Sequence, residues 1–538
     1  MRCGMSFVLN GTQQISLFDS LAFLPERKQR ILEKSWAKKF SDHIFKNIDE
    51  MIFAPLYSDK ANSRPNAPVN VIVGALILKE FIGLTDDEML EECECDFRYQ
   101  YALHTMSYDV QPISDRTFSR FRERNAAYEL TTGIDLIHTC MVSLAEEIRK
   151  FMDIEPTIKR MDSMMIESNI RKMGRLELLY TCLSNLVKLI SHDGNTELLD
   201  GLTSYADPNN RNRVVYYEQN IPQNERIQKM IDDASKLLPL CKNEYEHTED
   251  YQLLLRAINE QTKEDDNGKR IPKTKVDGMD SSVLQNPSDP DATFRVKASK
   301  QHRGYVANLT ETVDEKGSLI TDYQYDVNTH SDASFIKESI ENTEPSDTEI
   351  SMITDGAYNS EEIRKLAAEK NIRVLSTGLL GRKPKEILSE FQVSEDEKSI
   401  TACPQGNAPK SSCYIKQSDS VRVSFACGQC EGCPRQCECN PKIGQRTAVM
   451  ILSLKSRKKL LESNELMDDK TRSFIGRIRN GVETSPSVIR NKYGVDRMPV
   501  RGKLRTKQFF GFKVAALNFA KLIRFLNGKG KCRAFLPI

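Results

Sequence analysis

The 538-residue chain has no apolar run long enough to cross a bilayer; the longest, residues 69–78 (VNVIVGALIL), is about half a span. Its opening residues, MRCGMSFVLNG, lack the long apolar region of a secretory signal. These absences point away from membrane and exported proteins. The expectation is a soluble, cytoplasmic protein with reduced thiols at Cys93, Cys95, Cys140, Cys182 and Cys241. Histidine is scarce and stops at His330, so a metal site beyond that point must do without imidazole. Net charge is also nearly absent, at +1, but this hides strong polarity along the chain. Residues 471–538 carry 16 Lys plus Arg against 2 acidic residues, a balance of +14, whereas residues 191–290 carry 12 basic and 19 acidic, a balance of −7. A basic tail of that kind suits a polyanion, although basic helices are also ordinary solvated surfaces. The length allows two to four domains.

Among what is present, the stretch 350–361, ISMITDGAYNSE, organises the rest. Its first five residues are short, apolar or β-branched, and stop at Asp355-Gly356, which reads as a buried strand ending in a turn. Ser360 and the acidic pair after it open a helix running to about Lys370, and residues 371–376 (NIRVLS) give a second strand, making a strand–helix–strand unit of a parallel sheet. A carboxylate at the carboxyl end of such a strand is a candidate catalytic or metal-binding group, although an aspartate before glycine also serves simply to cap a turn.

In chain order, residues 1–60 form a leading segment with a helix over 26–45. Residues 61–150 form a helical domain, with a helix over 69–82 stopped by Gly83 and a capping box, Thr85 to Glu88, opening the next. A third helix follows Ser114, with Phe118 and Phe121 on one face and Arg116, Arg120 and Arg124 on another. That arginine stripe fits a helix-turn-helix reader, or an ordinary solvated face. Residues 151–168 hold a strand over 157–166 with Asp162 in its middle. Residues 169–286 read as a helical insertion, with helices over 176–190, 227–240 and 251–258 and one strand candidate at 214–217. Residues 287–400 resume with an antiparallel meander over 293–298, 304–311 and 318–327, then a helix over 332–340 leading to Asp355.

Residues 401–442 are compositionally distinct. Seven of the 14 cysteines fall here, at Cys403, Cys413, Cys427, Cys430, Cys433, Cys437 and Cys439. Thiolates so crowded in a reducing compartment bind metal rather than forming a disulfide framework, and tetrahedral zinc on a subset of them is the first choice. Cys427, Cys430, Cys433 and Cys437 also reproduce the spacing of a ferredoxin-type iron–sulfur run, although Pro434 follows the third cysteine instead of the fourth. Residues 443–538 read as a helix over 444–468, then one over 470–495 that brings Arg479, Glu483 and Arg490 to one face, with Pro486 marking a bend or restart. Glu483, isolated among cations, is either a salt-bridge partner or a metal ligand.

The order and context of Asp162, Asp355 and Glu483 resemble the DDE transposases of insertion sequences. The matching pieces are RPNAPVNVIVGALILKEFIGLTDDEM and ISDRTFSRFRER, MDSMMIESN around Asp162, NPSDPDATFRVK and HRGY, TDGAYNSEE around Asp355, the cysteine loop, and RIRNGVE followed by YGVDRMPVRG. The resemblance runs from about residue 60 to 530. It implies an α/β fold: a ribonuclease-H-like mixed sheet flanked by helices, with an N-terminal all-α DNA-binding domain, a helical insertion and a small Cys-rich metal-binding loop. It also implies that Asp162, Asp355 and Glu483 bind the catalytic ions. Related families carry a Tyr-Arg-Glu-Lys signature around the last carboxylate. Here Arg479 and Glu483 fit, while Arg490 stands in place of lysine and Gly476 in place of tyrosine, so hairpin-type end processing is not implied.

Phosphodiester cleavage needs phosphate charge neutralised and an oxygen nucleophile generated near neutral pH, which two Mg2+ (or Mn2+) ions about 4 Å apart provide. Mg2+ prefers carboxylate and water oxygens, so three carboxylates without histidine suit it. The implied reaction is cleavage at an element's ends and transfer of the freed 3′-OH into target DNA. Arg479, Arg490, Arg497, Arg501, Lys503 and Arg505 are then expected to hold phosphates, and Arg116, Arg120 and Arg124 to read the terminal inverted repeats. Paired ends imply a homodimer in a prokaryotic, nucleoid-associated setting. The alternatives are a ribonuclease-H-like nuclease that cuts without joining, and a catalytically inactive DNA-binding derivative.

Overall fold

The computed structural model describes residues 5–11, 24–58, 64–106, 111–218, 220–274, 276–278, 280–297, 299–355, 361–376, 385–394, 396, 398–454, 456–457, 460, 469–481, 483–531 and 535. The protein is mixed α/β and divides into two compact units, residues 1–344 with 482–536, and residues 345–481 with 537–538.

The first unit begins with helices α1 (Glu26–Lys34) and α2 (Trp36–His43). The single helix expected over 26–45 is split because Ser35 turns extended, and its hydroxyl accepts the Ala37 N–H to cap the second piece. Helix α3 (Val69–Ile82) ends at Gly83, whose φ of +94° closes it in the left-handed region. The Thr85–Glu88 capping box opens α4 (Asp86–Cys95) as expected, and α5 (Asp115–Thr132) and α6 (Leu136–Phe151) follow.

Strand β1 (Ile158–Glu167) carries Asp162. The insertion holds α7 (Arg175–His192), α8 (Gln223–Tyr245) and α9 (Glu249–Gln261) around a core that includes Leu183, Leu186, Val187, Leu237 and Leu254. The strand considered at 214–217 is absent, and residues 213–217 are helical. They continue the helix Pro208–Asn212 as a π-turn, where Arg226 donates to the Val214 carbonyl at 2.7 Å. The meander is present as β2 (Thr293–Lys297), β3 (Lys300–Val313) and β4 (Ser318–Val327). β3 is the hub: β1 pairs antiparallel with it from Lys159–Thr312 to Glu167–Gly304, β2 pairs with its first residues, and β4 with residues 305–313. Helix α10 (Asp332–Glu341) follows.

Two C-terminal helices complete this unit, α13 (Thr484–Asn491) and α14 (Lys503–Leu526). α14 is buried almost all round from Phe509 to Phe519. Phe519 packs edge-on against Phe40 and Phe81, Phe510 meets Tyr323 and Tyr325, and Asn518 exchanges two hydrogen bonds with the Ile320 backbone. The N-terminal helices, the sheet and the last helix therefore share one apolar core.

In the second unit, β5 (Ile350–Thr354), α11 (Glu361–Glu369) and β6 (Ile372–Ser376) form the expected parallel strand–helix–strand unit, in register from Ile350–Ile372 to Ser376–Thr354. The Ser360 cap lies outside the described residues. A four-stranded antiparallel sheet follows, in the order β7 (Ser411–Ile415), β8 (Ser420–Ala426), β10 (Thr447–Ser453), β9 (Lys442–Ile443). β10 replaces the first part of the helix expected over 444–468, whereas Leu454, Ser456, Arg457 and Leu460 are helical and residues 455, 458–459 and 461–468 lie outside the described residues. The residues of β10 alternate, with Ala448 and Leu452 buried and Ile451 63% exposed, against the inward Val421, Val423 and Phe425 of β8. Helix α12 (Asp469–Asn480) is the last element of this unit. The single helix expected over 470–495 is thus two, because the chain turns at Gly481 and restarts at Thr484 with Pro486 in the first turn, where its missing N–H costs nothing. Arg479, Glu483 and Arg490 do not share a helical face.

Candidate functional site

Asp162 sits at mid-strand in β1, half-buried, with Oδ1 accepting the Ser163 N–H at 3.0 Å. Two residues back on the same face of the strand, Arg160 forms a buried ion pair with its cross-strand partner Glu311 at 2.6 Å. Burial alone would raise the Glu311 carboxyl, but Lys521 and Arg160 beside it pull it down to about 2. Glu483 is exposed and occupies the N-cap position of α13, where its carbonyl accepts the Ser487 N–H. Both residues belong to the first unit.

Asp355 belongs to the second unit and directly follows the last residue of β5, half-buried, as the sequence indicates. Arg479, near the end of α12, stands 3.4 Å from its Oδ2. Among the described residues, no group of three or more His, Cys, Asp or Glu side chains is assembled to hold a metal ion. The donor chemistry of the three carboxylates is oxygen only, the set a hard divalent cation takes.

The cations assigned to phosphate fall into two groups. Arg497, Arg501 and Arg505 are exposed, with the Arg501 Nε donating to the Asn169 carbonyl at 2.8 Å. Arg490 holds Asp496 at 2.9 Å and the Met165 carbonyl, and Lys503 holds Asp326 at 2.6 Å. The basic tail is further neutralised by Lys507 on Glu129 and Asp135, Lys513 on Glu80 and Lys521 on Glu311. In α5, Arg116 and Arg120 are exposed, while Arg124 lies over the Tyr57 ring. The arginine between them, Arg122, grips Asp86 through both terminal nitrogens at 2.8 Å and stacks on Phe509. Its ties show the structural use of the acidic start of α4.

Several of the singled-out motifs meet at one end of the β1–β3 pair. Asp289 accepts from Ser168, from the Tyr305 hydroxyl at 2.6 Å and from the Gly502 N–H at 3.1 Å, and Asp291 accepts the Lys503 N–H at 2.9 Å. Asp496 accepts the Glu167 N–H, and Glu167 in turn holds His302 at 2.7 Å. NPSDPD, HRGY, MDSMMIESN and YGVDRMPVRG are therefore one knot that seats the start of α14. The sequence marked these pieces without showing that they touch.

In the second unit, Cys403, Cys430, Cys433 and Cys439 line a cavity of about 30 Å³ with Phe391, Phe425 and Met450. Cys413, Cys427 and Cys437 are not in its lining, and Cys413 and Cys437 are exposed. Burial, together with Cys433, Cys403 and Cys430 nearby, pushes the Cys439 thiol up to about 11. A larger cavity in the first unit, about 630 Å³, is lined by residues such as Phe294, Arg295 and Arg303 and by none of the candidate carboxylates.

Residues 402–523 match the family model of a transposase DDE domain, and residues 27–124 match that of a transposase domain, DUF772. No curated protein and no solved structure matches the chain.

Proposed function

Because the two matched segments support an insertion-sequence DDE transposase, we propose that the chain cuts DNA at the ends of its element and joins the freed 3′-OH to target DNA, on a ribonuclease-H-like core. Asp162, Asp355 and Glu483 are the ligands we assign to two Mg2+ or Mn2+ ions, which when bound neutralise phosphate charge and lower the pKa of a bound water. The observation that carries this reading is Asp355, a half-buried carboxylate at the end of a parallel strand with an arginine beside it. Arg479 orients that carboxylate. Arg497, Arg501 and Arg505, exposed near the start of α14, bind the DNA backbone, and Arg116 and Arg120 contribute to recognition of the terminal inverted repeats. Two such chains act on paired ends.

For the cysteine loop we assign structural Zn2+ to Cys403, Cys430, Cys433 and Cys439. The all-sulfur donor set, which zinc accepts, and the cavity that the four line support this assignment, although their thiols are not drawn together into a metal-holding group. The consecutive run needed for an iron–sulfur ligand set does not coincide with these four.

The test is Asp355→Asn, assayed for end binding, for Mg2+-dependent cleavage and for joining of a pre-cleaved end. Binding is expected to persist while cleavage falls on the order of 10⁴-fold. Unchanged cleavage would remove the assignment. Cleavage by the unaltered protein without joining would make it a nuclease.

A further inference from the structure

Glu311 is almost completely buried, with its side chain 3% exposed, yet it is tied to three elements at once. One oxygen takes the Arg160 guanidinium of β1, with Nε at 2.7 Å. The other takes the Ser485 hydroxyl of α13 at 3.1 Å and the Lys521 ammonium of α14. Arg160 is two residues before Asp162 on the same strand face, and Ser485 is two residues after Glu483 in the first turn of its helix. Ser485 is itself 2% exposed, so no water competes for this link. All of these residues lie in the first unit.

We propose that Glu311 is a positioning residue: its single buried carboxylate fixes the separation between the strand bearing Asp162 and the helix turn led by Glu483, and so sets the affinity of the site for divalent ions. This rests on the assignment of Asp162 and Glu483 as metal ligands. The physical reason is that a carboxylate paired with two cations inside the protein cannot relax without leaving a buried charge unmatched, so the elements it joins move little. Groups that orient metal ligands from behind typically carry about 10- to 100-fold in metal affinity or activity.

Glu311→Gln strands two buried cations and is too drastic a probe on its own. Ser485→Ala removes one hydrogen bond and buries no new charge, and Ser485→Thr keeps the hydroxyl. Ser184→Ala removes a comparable buried hydrogen bond, to the Tyr205 carbonyl, in the helical insertion. In the full-length protein, the Mg2+ concentration giving half-maximal cleavage is expected to rise roughly tenfold for Ser485→Ala, and to stay near the original value for Ser485→Thr and Ser184→Ala. A Mn2+ titration read by electron paramagnetic resonance is expected to move in parallel, without reference to activity. An unshifted metal dependence in folded Ser485→Ala, or an equal shift in Ser184→Ala, overturns the proposal. Asp162→Asn separates the two levels. If that variant keeps Mg2+-dependent cleavage, the ligand assignment fails. If it is inactive while Ser485→Ala is unshifted, only the positioning role fails.

Discussion

A Cβ on Gly304 would sit 2.4 Å from the Ile166 carbonyl oxygen and 2.5 Å from the Ser168 nitrogen, at a φ of +143°. Both neighbours are backbone in the β1–β3 ladder and cannot swing aside, so Gly304→Ala is expected to lose roughly 3 kcal/mol, read from urea unfolding. His138 offers a second test at this scale. Burial lowers its pKa, but the hydrogen bond and charge of Asp322, 2.8 Å away, outweigh that and leave it raised above 6.5. A raised folded-state pKa gives stability that is full below the unfolded value and is lost as pH rises through the folded one. The urea midpoint is therefore expected to fall as pH rises above 6.5, and Asp322→Asn to flatten that fall. Side chains also mark where reading the sequence alone stopped. The +14 balance of residues 471–538 suggested an open polyanion surface, but Lys503, Lys507, Lys513 and Lys521 meet carboxylates that lie hundreds of positions away or on other elements. Charge counting cannot see such partners.

Among the elements, those with a local signature were legible. Capping chemistry marked α4, a glycine marked the end of α3, and alternation marked β4 to the residue. The same rules located Asp162 within a strand and Asp355 at the end of one. Misreadings fell where local and tertiary preferences disagree. TAVMILS suits either state until β8 supplies a partner, and the α12–α13 break depends on where the chain must go after Gly481. α14 carries its own prediction. Phe519 has no exposed surface and contacts the rings of Phe40 and Phe81, so Phe519→Ala is expected to cost about 3–5 kcal/mol. Because that ring joins the N-terminal helices to the last one, hydrogen exchange should quicken in α2 and α3 together with α14. Protection lost from α14 alone would contradict a common core.

At the scale of the whole chain, the two units are expected to answer differently to chelation. If zinc rests on Cys403, Cys430, Cys433 and Cys439, the purified protein is colourless and holds one zinc per chain, measured by elemental analysis. Cys403→Ser loses that zinc and Cys413→Ser retains it. Stripping the metal should loosen β7 to β10 while leaving the urea transition of the first unit in place, since the core of that unit contains none of these thiols.

The late position of α14 has a consequence for how the protein is made. Its apolar surface completes a core whose N-terminal helices and sheet, Leu32 to Tyr325, are translated well before it, so the first helices must wait, partly uncovered, until the ribosome has delivered residues 503–526. A chain cut short ahead of that point is expected to aggregate or be degraded instead of persisting as a stable fragment.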